Sequence, residues 1–274
     1  MAVNYDELRK RANDIRIDVI KSIHQAGSGH PGGSLSAADM MAVLFFHEMN
    51  IDPKNPKMPS RDKFVLSKGH AAPVLYATLA EKGFFPKEDL MSLRKLGSKL
   101  QGHPDMKKLP GVEMSTGSLG QGLSTAVGMA LAAKLDGNPG RVYAMIGDGE
   151  LQEGIVWEAM MAAAHYKLDN LTVLVDWNGI QIDGRNDDIM CISPVDEKIR
   201  SFCWETAVID GHDVKSIAEA LEKAGNFKGK PYAIIAKTIK GKGVSFMEDT
   251  NAWHGKAPDF EQARQAVAEL GGEW

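Results

Sequence analysis

Apolar residues recur at helical spacing over residues 5–24, where Leu8, Ala12, Ile15, Val19 and Ile23 form one stripe, and this predicts an amphipathic helix. A more evenly apolar stretch, 36–50, reads as a buried helix whose Met40, Met41, Phe45 and Phe46 belong to the core rather than to a binding face. Further helices are predicted over 71–82, 87–95, 123–134, 195–202, 214–225 and 259–270. Short apolar runs bounded by turn residues predict strands at 64–66, 142–146, 171–175, 206–209 and 232–237. Strands alternating with helices imply one α/β domain over residues 1–274, a doubly wound, mostly parallel sheet with helices on both faces.

The strand at 142–146 runs into Gly147-Asp148-Gly149, a helical segment follows, and the strand at 171–175 ends in Asp176-Trp177-Asn178-Gly179. Such a βαβ unit puts ligands at the carboxyl ends of its strands. Asp-Gly or Asn-Gly alone is usually a turn. Paired across adjacent parallel strands, Asp148 and Asn178 can turn their oxygens onto one hard cation, which completes its shell with phosphate oxygens and water.

Composition narrows the class. The chain has 274 residues, 43% hydrophobic and 25% charged, enough for a sizeable core. A net charge of −4 with both signs mixed gives no support for nucleic-acid or membrane binding. Cys191 and Cys203 lie in no CxxC or metal-ligand spacing, and the first residues are polar without an apolar leader, so a cytoplasmic protein is expected.

Chemistry gathers in the loops. Gly27-Ser28-Gly29-His30-Pro31-Gly32-Gly33 matches GxGxxG, but a helix rather than a strand precedes it and Pro31 interrupts the turn. It reads instead as an interhelical loop presenting His30. His70 follows a strand, His103 sits in a Gly-His-Pro turn, and His254 follows Trp253. Gly117-Ser118-Leu119-Gly120-Gln121-Gly122 opens a helix and suits close backbone contact with a polar ligand. Four loop histidines suit proton transfer to and from a polyhydroxylated substrate. His24, His47, His165 and His212 read as structural, and Lys237, Lys240 and Lys242 as a solvated loop.

The stretch GDG, then about thirty residues, then Asn resembles the thiamine diphosphate motif. The words SGHPGG, TGSLGQG, LQEG, IQIDG and AWHG resemble transketolase. That resemblance implies Asp148, Asn178 and the backbone carbonyl of Ile180 as ligands of a divalent metal, Mg2+ first and Ca2+ or Mn2+ as alternatives. It implies His70, Gly149 and His254 at the diphosphate, with Gly147 and Glu150 in the same motif. Gly117, Ser118 and Leu119 would approach the aminopyrimidine, and Ile182 the thiazolium. His30, His70, His103 and His254 would bind sugar oxygens and move protons, and Glu153 resembles a buried acid near the dimer interface that couples two sites.

The resemblance covers only the first half of that family. The glutamate that activates the aminopyrimidine, and the residues that read a sugar phosphate, belong to the second half. The chain therefore reads as the N-terminal, diphosphate-binding subunit of a split transketolase. It would transfer a two-carbon ketol unit from a ketose to an aldose, in a two-plus-two assembly with a subunit carrying the pyrimidine-binding domain. Pentose phosphates are the default substrates, and an unusual sugar is equally open. Alternatives are one subunit of a 2-oxo acid dehydrogenase or of a deoxyxylulose-phosphate synthase, a non-catalytic cofactor-binding module, and a piece of a longer enzyme.

Overall fold

The computed structural model describes residues 3–274. In chain order the elements are α1 (Tyr5–Ala26), α2 (Pro31–Val43), β1 (Lys63–Leu66), α3 (Ala72–Lys82), α4 (Gln121–Leu135), β2 (Val142–Gly147), α5 (Gly154–His165), β3 (Leu171–Trp177), α6 (Asn186–Ile189), α7 (Val195–Ser201), β4 (Glu205–Asp210), α8 (Val214–Asn226), β5 (Tyr232–Lys237) and α9 (Phe260–Glu269). The strands form one sheet in the order β1-β2-β3-β5-β4, every pairing parallel.

Alternation along each strand divides the core in two. Tyr143, Met145, Leu174 and Ile234 face a layer built by α1, α2, α3, α8 and α9. Ala144, Ile146, Val173, Val175 and Ile235 face α4, α5 and α7. Burial on both faces is why β2 and β3 read as unbroken apolar runs. The chain moves across the sheet from β1 to β3, jumps to the edge strand β4, and returns to insert β5 beside β3. That reversal opens a crevice above the carboxyl ends of the strands.

Local signals explain most boundaries. The Asn4 side chain accepts from the Glu7 N–H to start α1, and Gly27 in the left-handed region (φ 63°) ends it. The capping box of Asp259 and Gln262 starts α9. Two expectations are corrected. The glycine-rich segment before residue 36 is not wholly a loop: Pro31 is the first residue of α2, so Gly32 and Gly33 are helical and His30 is the N-cap. Proline suits that position because its missing N–H would have no intrahelical partner there. The helix expected at 87–95 is a short 3-10 segment, Lys87–Ser92, and the turn beyond it runs through Arg94 at φ 60°.

Candidate functional site

A cavity of about 370 Å³ lies at the carboxyl edge of the sheet. Register brings its floor together, because Gly147 of β2 pairs with Asp176 of β3. The next residues, Asp148 and those following Trp177, therefore emerge side by side. Asp148 is 3% exposed. Its carboxylate accepts from the N–H of Gly149 at 2.8 Å and from the N–H of Gly179. Asn178 Oδ1 accepts from the Ile180 N–H at 3.1 Å, which folds that loop against Asp148. Burial and the charge of Asp176 push the Asp148 carboxyl up to about 6.

Two buried carboxylates, neither lying at a loop tip, fasten the loops that form the cavity. Asp176, fully buried, accepts from the Ser36 hydroxyl, the Lys68 ammonium and the Thr238 hydroxyl, tying α2, the end of β1 and the end of β5 to β3. Burial opposes its charge, but the Lys68 ammonium and these hydrogen bonds outweigh that and hold the carboxyl below the usual range. Glu150 accepts from the Ser67 hydroxyl, from the Gly120 N–H at 2.7 Å and from the Gly147 N–H at 3.0 Å. It lines the cavity, and its carboxylate is occupied by the loop after β1, the loop before α4 and the last residue of β2.

Three of the loop histidines converge. Ring centroids lie 5.3 Å apart for His30 and His70, 5.5 Å for His30 and His254, and 5.1 Å for His70 and His254. Burial, with Arg94, His103 and Lys240 nearby, pushes His30 down to about 4. Burial and Lys240 push His254 down to about 3, and burial and Lys68 hold His70 well below its ordinary value. All three rings are thus neutral at neutral pH. His103 is exposed and stands apart, against the backbone of Gly117, where a Cβ would meet its ring at 3.0 Å.

Lys240, read from sequence as part of a solvated loop, is 3% exposed and points into the cavity. Its ammonium donates to the Ile180 carbonyl at 2.7 Å and lies 3.0 Å from His254 Nδ1. Burial lowers it to about 8 against the opposing pull of Asp148. Lys68 is likewise not singled out by the sequence. Both follow the carboxyl end of a strand, the positional signal that marks His70.

His70, Gly117, Leu119, Gly147, Asp148 and Gly149 line the cavity, as do Asn178, Ile180 and His254. Ile182 does so at the mouth, 61% exposed. His30 sits behind the lining, and Ser118 is exposed beside it. Glu153 also lines the mouth but is exposed at the N-cap of α5, so the chain itself supplies no burial for it. His212, expected to be structural, is hydrogen-bonded to Asp39 and lies outside the lining.

The site fits an anionic group held with a cation. Two buried ammonium groups, Lys68 and Lys240, face it. Gly33 and Gly147 bare their backbone there, each with van der Waals room for a Cβ. His30 Nδ1 and Gln181 Oε1 are buried without a protein partner among the described residues. The Lys240 ammonium already rests on the Ile180 carbonyl beside Asp148, a position that attracts positive charge. Among the described residues no three His, Cys, Asp or Glu side chains cluster as metal ligands, so any cation here relies on Asp148, Asn178 and backbone oxygen.

A doubly wound parallel sheet with a cavity at its carboxyl edge is the arrangement in which open α/β domains bind their ligands. Residues 8–273 match the family model described as "Transketolase, thiamine diphosphate binding domain", and the chain belongs to that family. It is 48% identical over 264 residues to the 6-deoxy-6-sulfo-D-fructose transketolase subunit SqwG of Clostridium sp. (strain MSTE9), covering 96% of each chain. It is 43% identical over 269 residues to one of the apulose-4-phosphate transketolase subunits of Actinobacillus succinogenes, covering 98% of this chain and 97% of the relative. The transketolase structure from Leishmania mexicana superposes with a TM-score of 0.93 at 34% identity, covering all of this chain and 42% of that one. The chain thus spans under half of a single-chain transketolase and nearly all of two subunits of divided ones.

Proposed function

We propose that this chain is the diphosphate-binding subunit of a transketolase, moving a two-carbon ketol unit from a ketose to an aldose with a second subunit that carries the pyrimidine-binding domain. The observation that carries the reading is the convergence of Asp148, Asn178, Lys240, His70 and His254 on one cavity, with the His30 ring packed behind the two histidines. Asp148, Asn178 and the Ile180 carbonyl would hold a divalent cation, with Mg2+ preferred for an oxygen set that is completed by phosphate. His70, His254, Lys68 and Lys240 would hold the diphosphate, and Gly117 and Leu119 would flank the ring that extends from it. Thiamine diphosphate, when bound, supplies a carbon nucleophile and an electron sink.

The chain's own contribution is orientation and proton handling. An ammonium only donates, so His254 Nδ1 accepts from Lys240 and the ring proton sits on Nε2, free to donate to a substrate oxygen. His30 and His70, neutral beside it, hold or release protons at sugar hydroxyls. His103, exposed outside the cavity lining and against Gly117, would meet the substrate farther from the cofactor. Glu153, exposed at the mouth, would be covered by another protomer in a two-plus-two assembly.

The length match to SqwG and to the apulose-4-phosphate relative supports the divided form. Among the described residues no helix is long and apolar enough to cross a membrane. The two free, exposed cysteines suit the reducing cytoplasm. Substrates that are phosphorylated or otherwise anionic sugars, pentose phosphates among them, are consistent with the relatives' names. Native mass spectrometry of the tagged chain from its own cells, with thiamine diphosphate and Mg2+ present, tests the proposal. A second polypeptide in equal copies, required for ketol transfer, is expected. A lone chain transferring ketol units at full rate would overturn it.

A further inference from the structure

Outside the cavity, Arg16, Asp39 and His212 form a chain of three side chains with exposures of 8%, 9% and 14%. Arg16 of α1 grips α2 through the Leu35 carbonyl at 3.2 Å and through both oxygens of Asp39. Asp39 Oδ2 also lies 2.8 Å from His212 Nδ1. On its far side the ring is reached by the backbone N–H of Ile239, 2.8 Å from Nε2. A backbone N–H can only donate, so Nε2 presents its lone pair and Nδ1 carries the proton that goes to Asp39. The ring is therefore neutral, in one tautomer, with both nitrogens engaged.

We propose that His212 is a positioning residue for Lys240, fixing through the Ile239 amide the backbone from which that ammonium reaches the cavity. The inference rests on the assignment of Lys240 to the diphosphate. The loop after β5 is fastened residue by residue: the Thr238 hydroxyl to Asp176, the Ile239 N–H to His212, and the Gly241 N–H to the Gly32 carbonyl at 3.0 Å. Lys240 lies between the last two fastenings. Its long side chain has many rotamers to lose, and a fixed backbone origin reduces that cost. Gly211 lets the His212 loop dock there, since a Cβ on it would lie 2.5 Å from Thr238 Cγ2. Its N–H donates to the Lys237 carbonyl at 2.8 Å. His212 does not line the cavity, so its effect on the site must pass through this loop.

The test compares His212→Asn with His212→Gln in the full chain. Glutamine can offer an acceptor at the reach of Nε2, whereas asparagine can pair with Asp39 but stops short of Ile239. Lysine acylation by acetic anhydride, without cofactor, is read by mass spectrometry at Lys240 and Lys68. Loss of one buried hydrogen bond predicts labelling of Lys240 about tenfold faster in H212N. Lys68 should be unchanged in H212N, and Lys240 in H212Q should match the unsubstituted chain. An unchanged Lys240 in H212N, an equal rise in both variants, or a rise shared by Lys68 overturns the proposal. On the unsubstituted chain the Ile239 amide should exchange hydrogen as slowly as the amides of β5. Exchange at the rate of an exposed loop overturns it whether or not the variants fold. Protection of Lys240 by added thiamine diphosphate separately checks the diphosphate assignment, which can fail while the dependence on His212 stands.

Discussion

The Lys240 ammonium donates to the Ile180 carbonyl across 2.7 Å and so joins the loop after β5 to the loop after β3. One side chain thereby links the oxygen-rich corner formed by Asp148 and Asn178 to the histidine cluster. Lys240→Met keeps much of the volume and removes the charge. Thiamine diphosphate affinity, measured calorimetrically with Mg2+, should fall about 10- to 100-fold, as expected for a lost charge-assisted hydrogen bond. Thermal stability of the cofactor-free chain should hold or rise, because a buried charge has gone. Unchanged affinity would remove Lys240 from the site.

Asp176 and Lys68 are 0% and 2% exposed, and they form an ion pair inside the protein. Asp176→Asn keeps the shape but leaves a buried ammonium without its counter-charge. Urea unfolding should show a loss of about 3–5 kcal/mol. A loss below about 1 kcal/mol, the scale of an exposed pair, would mean that water reaches Lys68.

Glu150→Gln exchanges one acceptor oxygen for an amide that donates. Ser67 and Gly120 donate to Oε1 and Gly147 to Oε2, so whichever oxygen becomes the amide nitrogen, at least one buried backbone N–H is left facing another donor. A destabilisation of about 1–3 kcal/mol follows. Weaker cofactor binding should accompany it, since three cavity segments lose their common fastening. Thermal melts with and without thiamine diphosphate separate the two effects.

The histidine cluster gives stability a direction with pH. His30 and His254 are lowered from 6.5 to about 4 and about 3, so between those values the unfolded chain binds protons that the folded chain refuses. Stability therefore falls as pH drops below about 6.5 and stops responding to these groups below their folded values. Partial solvent contact softens the effect. Denaturation midpoints from pH 7 to 4 should show this fall, with a shallower slope in His254→Asn. An identical slope in that variant would place the effect elsewhere.

Much of the site is legible in the sequence because the signals are local. Asp148, Asn178, His70 and Gly117 lie in loops that directly follow a strand or lead into a helix, and strand and helix boundaries follow from periodicity and turn chemistry. Lys240 and Lys68 are not legible in this way. A lysine among glycines is usually solvated, and only the packing of α2 and of the segment ending in Trp253 against the loop encloses Lys240; a Cβ on Gly32 would lie 3.1 Å both from its side chain and from the Trp253 carbonyl. His212, read as structural, is so in its contacts, but the partner that gives it consequence is a backbone amide 27 residues away.

By itself the sequence determined the alternation of strands and helices and the placing of Asp148 and Asn178 beyond two strands. Neighbouring side chains and backbone preferences suffice for these. Only the tertiary structure decided that β5 lies between β3 and β4, which carries Thr238 and Lys240 to the crevice. It also decided that Lys68 meets Asp176 across 108 residues, and that three histidines from distant segments pack together, two of them on the cavity wall. Whether a charge is buried and paired depends on what folds over it, and no local pattern contains that.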